Sequence, residues 1–458
     1  MCTARALSDV FDEIVVAESD RYPNDPTQRR GVPQSRMYHT LIERGRREIE
    51  ALFPGFQARL EEHGAPRVGF GFNAAVLTPR GWAQPSAGLV MRNTNVSRVL
   101  LESTIRELFV GTPNVEIVES AKVTGLLTEQ RDSGLRCTGA QVTQLETGTS
   151  EPITADLVID ASGRNTSSPQ WLEDLGLPLP PEETLDPRLT YAGQWMQLRP
   201  DAEWPAKWWW THGVFIQRVP PHDIRGAHLM RQENGRWLLT MVAGDGELPP
   251  NEEHEIGGFL ATLRSPLIAE MLDLFEPTSP VARFRVPVNR WRHYEDWSSA
   301  LGGFVAMADA VCVANPNQGQ GMSVAAAEAR LLRRCAQETI DGDLLPERFF
   351  AEQARFVESP WRIAVGNDLR FDTVEGPRPA STRAFNWYRR QLARSTNRKV
   401  RQHLGDIDGL VTPVDRLYVP TVAVRAALNR VAEAVRWRRD EFDPFGPLPP
   451  ELPVPSFT

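Results

Sequence analysis

The sequence predicts an α/β protein: a discontinuous parallel-sheet domain, an antiparallel β-sheet domain inserted into it, and a helical C-terminal segment. Three observations carry this prediction. The apolar runs Glu13-Ile14-Val15-Val16-Ala17-Glu18 and Ala155-Asp156-Leu157-Val158-Ile159-Asp160 end in acids and lie among helical segments, as buried parallel strands do. From about Leu189 to Ala243 the pattern becomes alternating and tryptophan-rich, broken by Pro220-Pro221. Beyond Glu347 it is mainly helical, ending in a Pro-rich tail over 443–458.

In chain order, Met1 to Leu7 reads as a helix without a cap, and the Ile14-Val15-Val16 strand follows it. The Pro- and Arg-rich stretch from Tyr22 to Arg36 reads as a loop. A helix is expected from His39 to Leu52, stopped by Pro54 and Gly55. Another spans Asn95 to Val110, where Val96, Val99, Leu100, Ser103, Ile105 and Leu108 keep an apolar stripe. Residues 115–118, 122–128 and 135–145 read as a small meander. One or two helices are expected between Glu252 and Phe275, and Phe284 to Val288 as the strand returning to the first domain. Gly303 to Met307 then reads as a last parallel strand, which leads through a Gly-rich turn into a helix from about Ser323 to Thr339.

With 458 residues, 41% of them hydrophobic and 24% charged, the chain has the composition of a globular protein of two or three domains. A formal net charge of −8 argues against a nucleic-acid partner, which a basic face would announce, and points to small molecules. Cys2, Cys137, Cys312 and Cys335 are too scattered for a zinc site and too few for a disulfide framework, which fits a reducing cytoplasm. No apolar run reaches the roughly 18 residues that span a bilayer, and the N-terminus lacks the apolar stretch of a signal peptide.

Two places can carry chemistry. Glu18 ends a strand of a βαβ unit, where an acid can accept hydrogen bonds from a ribose hydroxyl. Asp309 ends a buried strand, where it can bind a polyol hydroxyl, and Pro316, Gly319, Gly321 and Met322 follow it in order. The glycines let a helix N-terminus approach a flat ring, and its amides stabilise anionic charge there. The histidines His39, His212 and His228 lack a visible partner, and none is assigned as acid or base.

VIDASGRNTS (158–167) and GGFVAMADAVCVANPNQGQGMSVAAAEARLL (302–332) resemble the two downstream FAD motifs of flavin monooxygenases related to para-hydroxybenzoate hydroxylase. RRGVPQSRMYHTLIERGRREIEALFPG (29–55) and SRVLLESTIRE (97–107) resemble the branch holding the flavin epoxidases of polyether antibiotic assembly. The resemblance implies a Rossmann-like FAD-binding domain over 1–72, 96–185 and 284–345. It implies a substrate domain over 73–95 and 186–283, and a helical segment over 346–458. It places Glu18 on the adenosine ribose and Arg29 and Arg98 at the pyrophosphate or ribityl region. Val123 would face adenine, Asp309 would hold a ribityl hydroxyl, and Pro316, Gly319, Gly321 and Met322 would line the isoalloxazine.

The implied reaction is hydroxylation or epoxidation of a hydrophobic specialised metabolite through a flavin C4a-hydroperoxide, with O2 as co-substrate. Trp195, Trp208, Trp209, Trp210, Phe215 and Trp237 would wall the substrate site. Three departures from the family pattern stand out. Met1 lies past the first strand and glycine turn, so the reading expects either a start assigned too late or weakened FAD binding. Ala308 replaces the usual glycine. Ser162 replaces an Asp tied to NAD(P)H handling, so a separate flavin reductase stands beside NAD(P)H as the electron source. The halogenase pattern of two tryptophans around one residue, then Ile-Pro, is absent from Trp208-Trp209-Trp210-Thr211-His212-Gly213. An alkene reductase of the geranylgeranyl type and a non-catalytic remnant are the alternatives.

Overall fold

The computed structural model describes residues 1–437 except 24, 30, 80, 84–92, 133, 207, 299–300, 340–341 and 396. The Pro-rich tail lies outside the described residues. Ile14–Ala17 pairs in parallel with Val115–Val118, and Val158–Asp160 pairs in parallel with Phe304–Ala306. Val115–Val118 therefore belongs with the first strand and not with the meander. The meander consists of Ala121–Arg131, Gly134–Gln144 and Ser150–Thr154. Its third strand escaped the sequence reading because four of its five residues are exposed and it contains Pro152, as an outer strand tolerates.

The helix Gly321–Glu338 is the hub of this half, touching the helices Cys2–Leu7, Glu43–Leu52 and Leu345–Asp368. Leu7, Leu41, Phe56, Leu101, Phe304, Ala329 and Phe349 share one buried cluster. Two helices begin later than their patterns suggested. Thr40–Leu41 is extended and pairs with Asn93–Asn95, so the first of them starts at Glu43. The other starts at Arg98, where the Ser97 hydroxyl caps it by accepting from the Leu100 amide at 3.1 Å.

The large sheet runs in the order Phe275–Pro277, Thr190–Leu198, Trp237–Ala243, Arg225–Arg231, Gly213–Ile216, Ala74–Thr78 and Gly81–Trp82. All its pairings are antiparallel except that of Gly213–Ile216 with Ala74–Thr78. The strand expected at 284–288 is Ala282–Arg285, and it lies in this sheet beside Thr190–Gly193. Its exposed Arg283 and Arg285 alternate with half-buried Ala282 and Phe284, the mark of a strand with one wet face. The return is made by Asn289–Arg292, between Glu182–Leu185 and Cys312–Val313.

The two faces of the sheet differ. Met196, Trp210, Leu229, Trp237, Leu239 and Met241 pack with residues of the helices Glu253–Ala261 and Leu267–Leu272, and Trp204, Trp208 and Trp209 close over them. Trp204 stacks on Trp237 and Trp208 on Trp210. Those tryptophans are the core of the sheet's outer layer, which corrects the expectation that Trp208, Trp209, Trp210 and Trp237 wall the substrate site. Strand register puts Tyr191, Trp195, Phe215, His228 and Thr240 on the opposite face. That face meets Met37 and Tyr38. The C-terminal helices Ala380–Ala393, Arg398–Asp408 and Pro420–Trp437 share their own core around Phe385, Val400 and Leu417. Among the described residues, no helix is long and apolar enough to cross a membrane.

Candidate functional site

The strand Phe304–Ala306 ends in a single turn at Ala308–Ala310. Ala308 has φ +53°, a left-handed conformation that costs a residue with a side chain roughly 1–2 kcal/mol. Glu328, fully buried on the helix Gly321–Glu338, offsets that strain by accepting the Ala308 N–H at 2.5 Å. The turn presents Asp309. Its carboxylate is open to solvent yet walled by protein on most sides. Desolvation therefore raises its pKa above the ordinary carboxylate value, while Arg98 and Arg164 pull it down. Among the described residues no side chain hydrogen-bonds this carboxylate.

Beyond Asp309, Pro316–Gln318 forms a second turn, and Gly319 (φ +65°) turns the chain into the helix that starts at Gly321. A Cβ at Gly321 would lie 4.0 Å from Asp309 Oδ1, so the helix N-terminus and the acid face one gap. The N-cap residue Gln320 makes no side-chain bond to that helix, and among the described residues no side chain caps its first amides, which can therefore meet a ligand. Pro316 and Gly321 are exposed, whereas Met322 is half-buried and packs partly against the core.

On the other side a line of charges runs from Glu18 toward Asp309. Glu18 Oε1 accepts the Asp20 N–H at 3.0 Å, and Arg29 lies 3.6 Å from Oε2. Arg29 Nη1 reaches Asp20 at 3.1 Å and Nε reaches Glu102 at 2.7 Å. Arg98 Nε lies 4.0 Å from the other Glu102 oxygen. Burial works against the Arg29 charge, but Glu102 and Glu18 outweigh it and raise its pKa. A cleft lined by Arg29, Arg98, Glu102 and Arg106 opens along this line. The Ala121 N–H donates to the Glu18 carbonyl at 2.9 Å, which sets Val123 two residues along the adjoining strand.

The structure thus joins Glu18, Arg29 and Arg98 through Glu102, sets Arg98 within electrostatic reach of Asp309, and places Pro316, Gly319, Gly321 and Met322 beyond it. Sequence reasoning missed Arg164, Glu328, Asn315 and Asp368. A carboxylate inside the small-residue run Ala325-Ala326-Ala327-Glu328 was the one signal for Glu328. Ser162 is exposed, but its N–H and hydroxyl donate to buried Asp160 Oδ1 at 2.9 and 2.6 Å, and Thr166 and Ser168 donate to the other oxygen. Burial pushes the imidazole pKa of His39 and His212 down to about 4 and that of His228 to about 3. All three are neutral near pH 7.

Glu328 titrates nearer neutrality. Burial raises its pKa from 4.5 to about 7, against the pull of the Ala308 N–H, with Asp309 adding to the rise. A folded-state pKa above the unfolded value means that the folded chain holds the proton more tightly, so stability is lost as pH climbs from 4.5 to 7. Glu328→Gln keeps an acceptor for Ala308 and cannot ionise. Its stability relative to the parent is expected to rise between pH 5 and pH 8, by up to about 3 kcal/mol. Denaturant unfolding at the two pH values checks this, and a pH-independent difference would count against ionisation of Glu328 in the fold.

No family model matches the chain. Protein Rv3254 of Mycobacterium tuberculosis (strain ATCC 25618 / H37Rv) is 30% identical to it over 388 residues, 81% of this chain and 78% of that protein. The flavin-dependent brominase Bmp2 superposes with a TM-score of 0.63 at 13% identity, covering 96% of each chain. The flavin-dependent monooxygenase PieE, solved with FAD and substrate, superposes with a TM-score of 0.52 at 17% identity, covering 95% of this chain and 69% of its own. At such identities the solved structures speak for the fold, and Rv3254 speaks for kinship. The chain belongs to the family of Protein Rv3254 and is built on the hydroxylase-like fold that flavin-dependent monooxygenases share.

Proposed function

We propose that the protein is an FAD-dependent monooxygenase that places one oxygen atom, by hydroxylation or epoxidation, on a hydrophobic small molecule. The observation that carries this reading is Asp309, a carboxylate that no side chain hydrogen-bonds among the described residues and that faces the N-terminus of the Gly321–Glu338 helix. The pairing fits FAD: an acceptor for a ribityl hydroxyl, and beside it free amides and bare glycines for a flat anionic ring. Glu18 is then the acceptor for the adenosine ribose, with Val123 beside the adenine, and Arg29 and Arg98 supply positive charge between the two ends.

Bound flavin supplies the activation of O2, with electrons from NAD(P)H, directly or through a separate flavin reductase. The chain's own work is binding and shielding. Amides at the helix N-terminus stabilise negative charge on the ring, and the sheet face of Tyr191, Trp195 and Phe215 keeps water away from the reacting atoms. Phe215 stacks on neutral His228 with ring centroids 4.7 Å apart, Phe70 meets Phe215 edge-on, and Tyr38 meets His228 edge-on. An aromatic lining of that kind favours an apolar substrate.

The test is to mix the purified chain with FAD, remove the excess, and record the visible spectrum. It continues with O2 uptake under NAD(P)H, with and without an added flavin reductase, in the presence of apolar substrates. Retained oxidised-flavin absorption and substrate-dependent O2 uptake are expected. A colourless protein, or flavin without any O2 uptake, would overturn the assignment.

A further inference from the structure

We infer that Asp368, on the last turn of the helix Leu345–Asp368, is a positioning residue that sets the glycine turn through Asn315. The inference rests on the flavin reading of that turn. Asp368 is 3% exposed and Asn315 is 4% exposed, so neither has water as an alternative partner. Asp368 Oδ1 accepts from Asn315 Nδ2 at 2.7 Å, and Oδ2 accepts from Asn289 Nδ2 at 2.9 Å. Asn315 in turn caps the Pro316–Gln318 turn: its Oδ1 accepts the Asn317 N–H at 3.0 Å and the Tyr191 hydroxyl at 3.3 Å.

An asparagine amide can present either its oxygen or its NH2 to a neighbour. Only the oxygen-first orientation caps Asn317, and a carboxylate on the far side enforces it, because a carboxylate accepts and does not donate. Asp368 therefore fixes which end of Asn315 meets the turn, four residues before Gly319. Arg218, just past the strand Gly213–Ile216, acts on the same carboxylate and lies 4.2 Å over the Phe371 ring. The helix Leu345–Asp368, the return strand at Asn289 and the turn that faces Asp309 meet at this acceptor, and the large sheet joins them through the Tyr191 hydroxyl on Asn315. Its role differs from that of a generic buried polar group, since what it orients is the cap of the cofactor turn.

The test is a donor–acceptor swap in the full chain: Asn315→Asp, Asp368→Asn and the double variant. FAD affinity is read by quenching of flavin fluorescence, the bound-flavin spectrum is recorded, and thermal melts of the apoproteins report folding. Asn315→Asp keeps the cap oxygen but sets two carboxylates against each other, and is expected to weaken FAD by about tenfold and to shift the bound-flavin spectrum. Asp368→Asn alone frees Asn315 to turn over and is expected to weaken FAD to a similar degree. The double variant restores the pair with its sense reversed, while the amide oxygen introduced by Asp368→Asn still serves Asn289, and is expected to return to within about threefold of the parent. If one single variant fails to fold, recovery in the double variant still decides. Parental affinity and spectrum in both single variants would overturn the inference and leave the flavin reading standing. So would a double variant no better than the worse single one, because damage that does not depend on the pair cannot be reversed by the swap. A parent chain that takes up no FAD would instead sink the flavin reading, and this inference with it.

Discussion

Asp309→Ala is expected to cost at least tenfold in FAD affinity while leaving the apoprotein as stable as the parent, or slightly more so. The two halves of that expectation have one origin. Among the described residues nothing in the protein hydrogen-bonds the carboxylate, so its removal breaks no contact that the fold relies on. Its pKa is raised by desolvation, with Arg98 and Arg164 pulling the other way, so the folded chain bears a small cost for keeping it. A ligand hydroxyl that donates to a charged acceptor recovers roughly 1.5–3 kcal/mol, which corresponds to roughly 10–150-fold in affinity. Asp309→Asn, which keeps an acceptor but loses the charge, should fall between the two. Equilibrium titration with FAD and a thermal melt of the apoprotein check both halves. Unchanged affinity removes Asp309 from the site, and a melt that drops by many degrees would make it a framework residue.

What could be read in the sequence was local. Strand, acid, proline and glycines follow one another from Phe304 to Met322, and each has a conformational signature of its own, so the order alone located the turn. The apolar runs at Ile14 and Val158 read correctly for the same reason. Errors arose wherever distant pairing overrode local pattern. Thr40 and Leu41 continue an apolar stripe that resembles a helix, but Asn95 and Thr94 capture them as a strand. The tryptophans from 204 to 210 could have faced either side of the sheet, and only the helices of 253–272 fix the side. The supporting residues of the site are the extreme case. Glu328 meets Ala308 from 20 residues away and Asp368 meets Asn315 from 53. Glu328 had only its small-residue neighbours as a signal, and nothing in a local window marks Asp368 as more than an ordinary surface acid.

Gly45→Val is expected to destabilise the fold by about 3 kcal/mol or more, and to lose FAD as a consequence. Gly45 lies within the helix Glu43–Leu52, where its backbone conformation is open to any residue, so glycine is required there for distance. A Cβ at this position would lie 2.2 Å from Ser323 Oγ, 2.7 Å from Leu41 Cδ1 and 2.9 Å from Ser323 Cα. A hydroxyl can rotate and a leucine methyl can move aside, but the Ser323 Cα belongs to the first turn of the helix that starts at Gly321, and it is fully buried. One helix must therefore move off the other. Leu41, Ile49 and Leu52 on one side and Val324 and Ala326 on the other share a single core, so a shift large enough to admit valine opens gaps on both. Gly45→Ala separates the terms. In an unobstructed helix this change would gain up to about 1 kcal/mol in helix propensity, so a loss of stability shows that the contact, and not the backbone, sets the residue. Denaturant unfolding gives the sign. Set beside Asp309→Ala, the comparison divides the site into its two components: one variant loses the ligand and keeps the framework, and the other loses the ligand because the framework has gone.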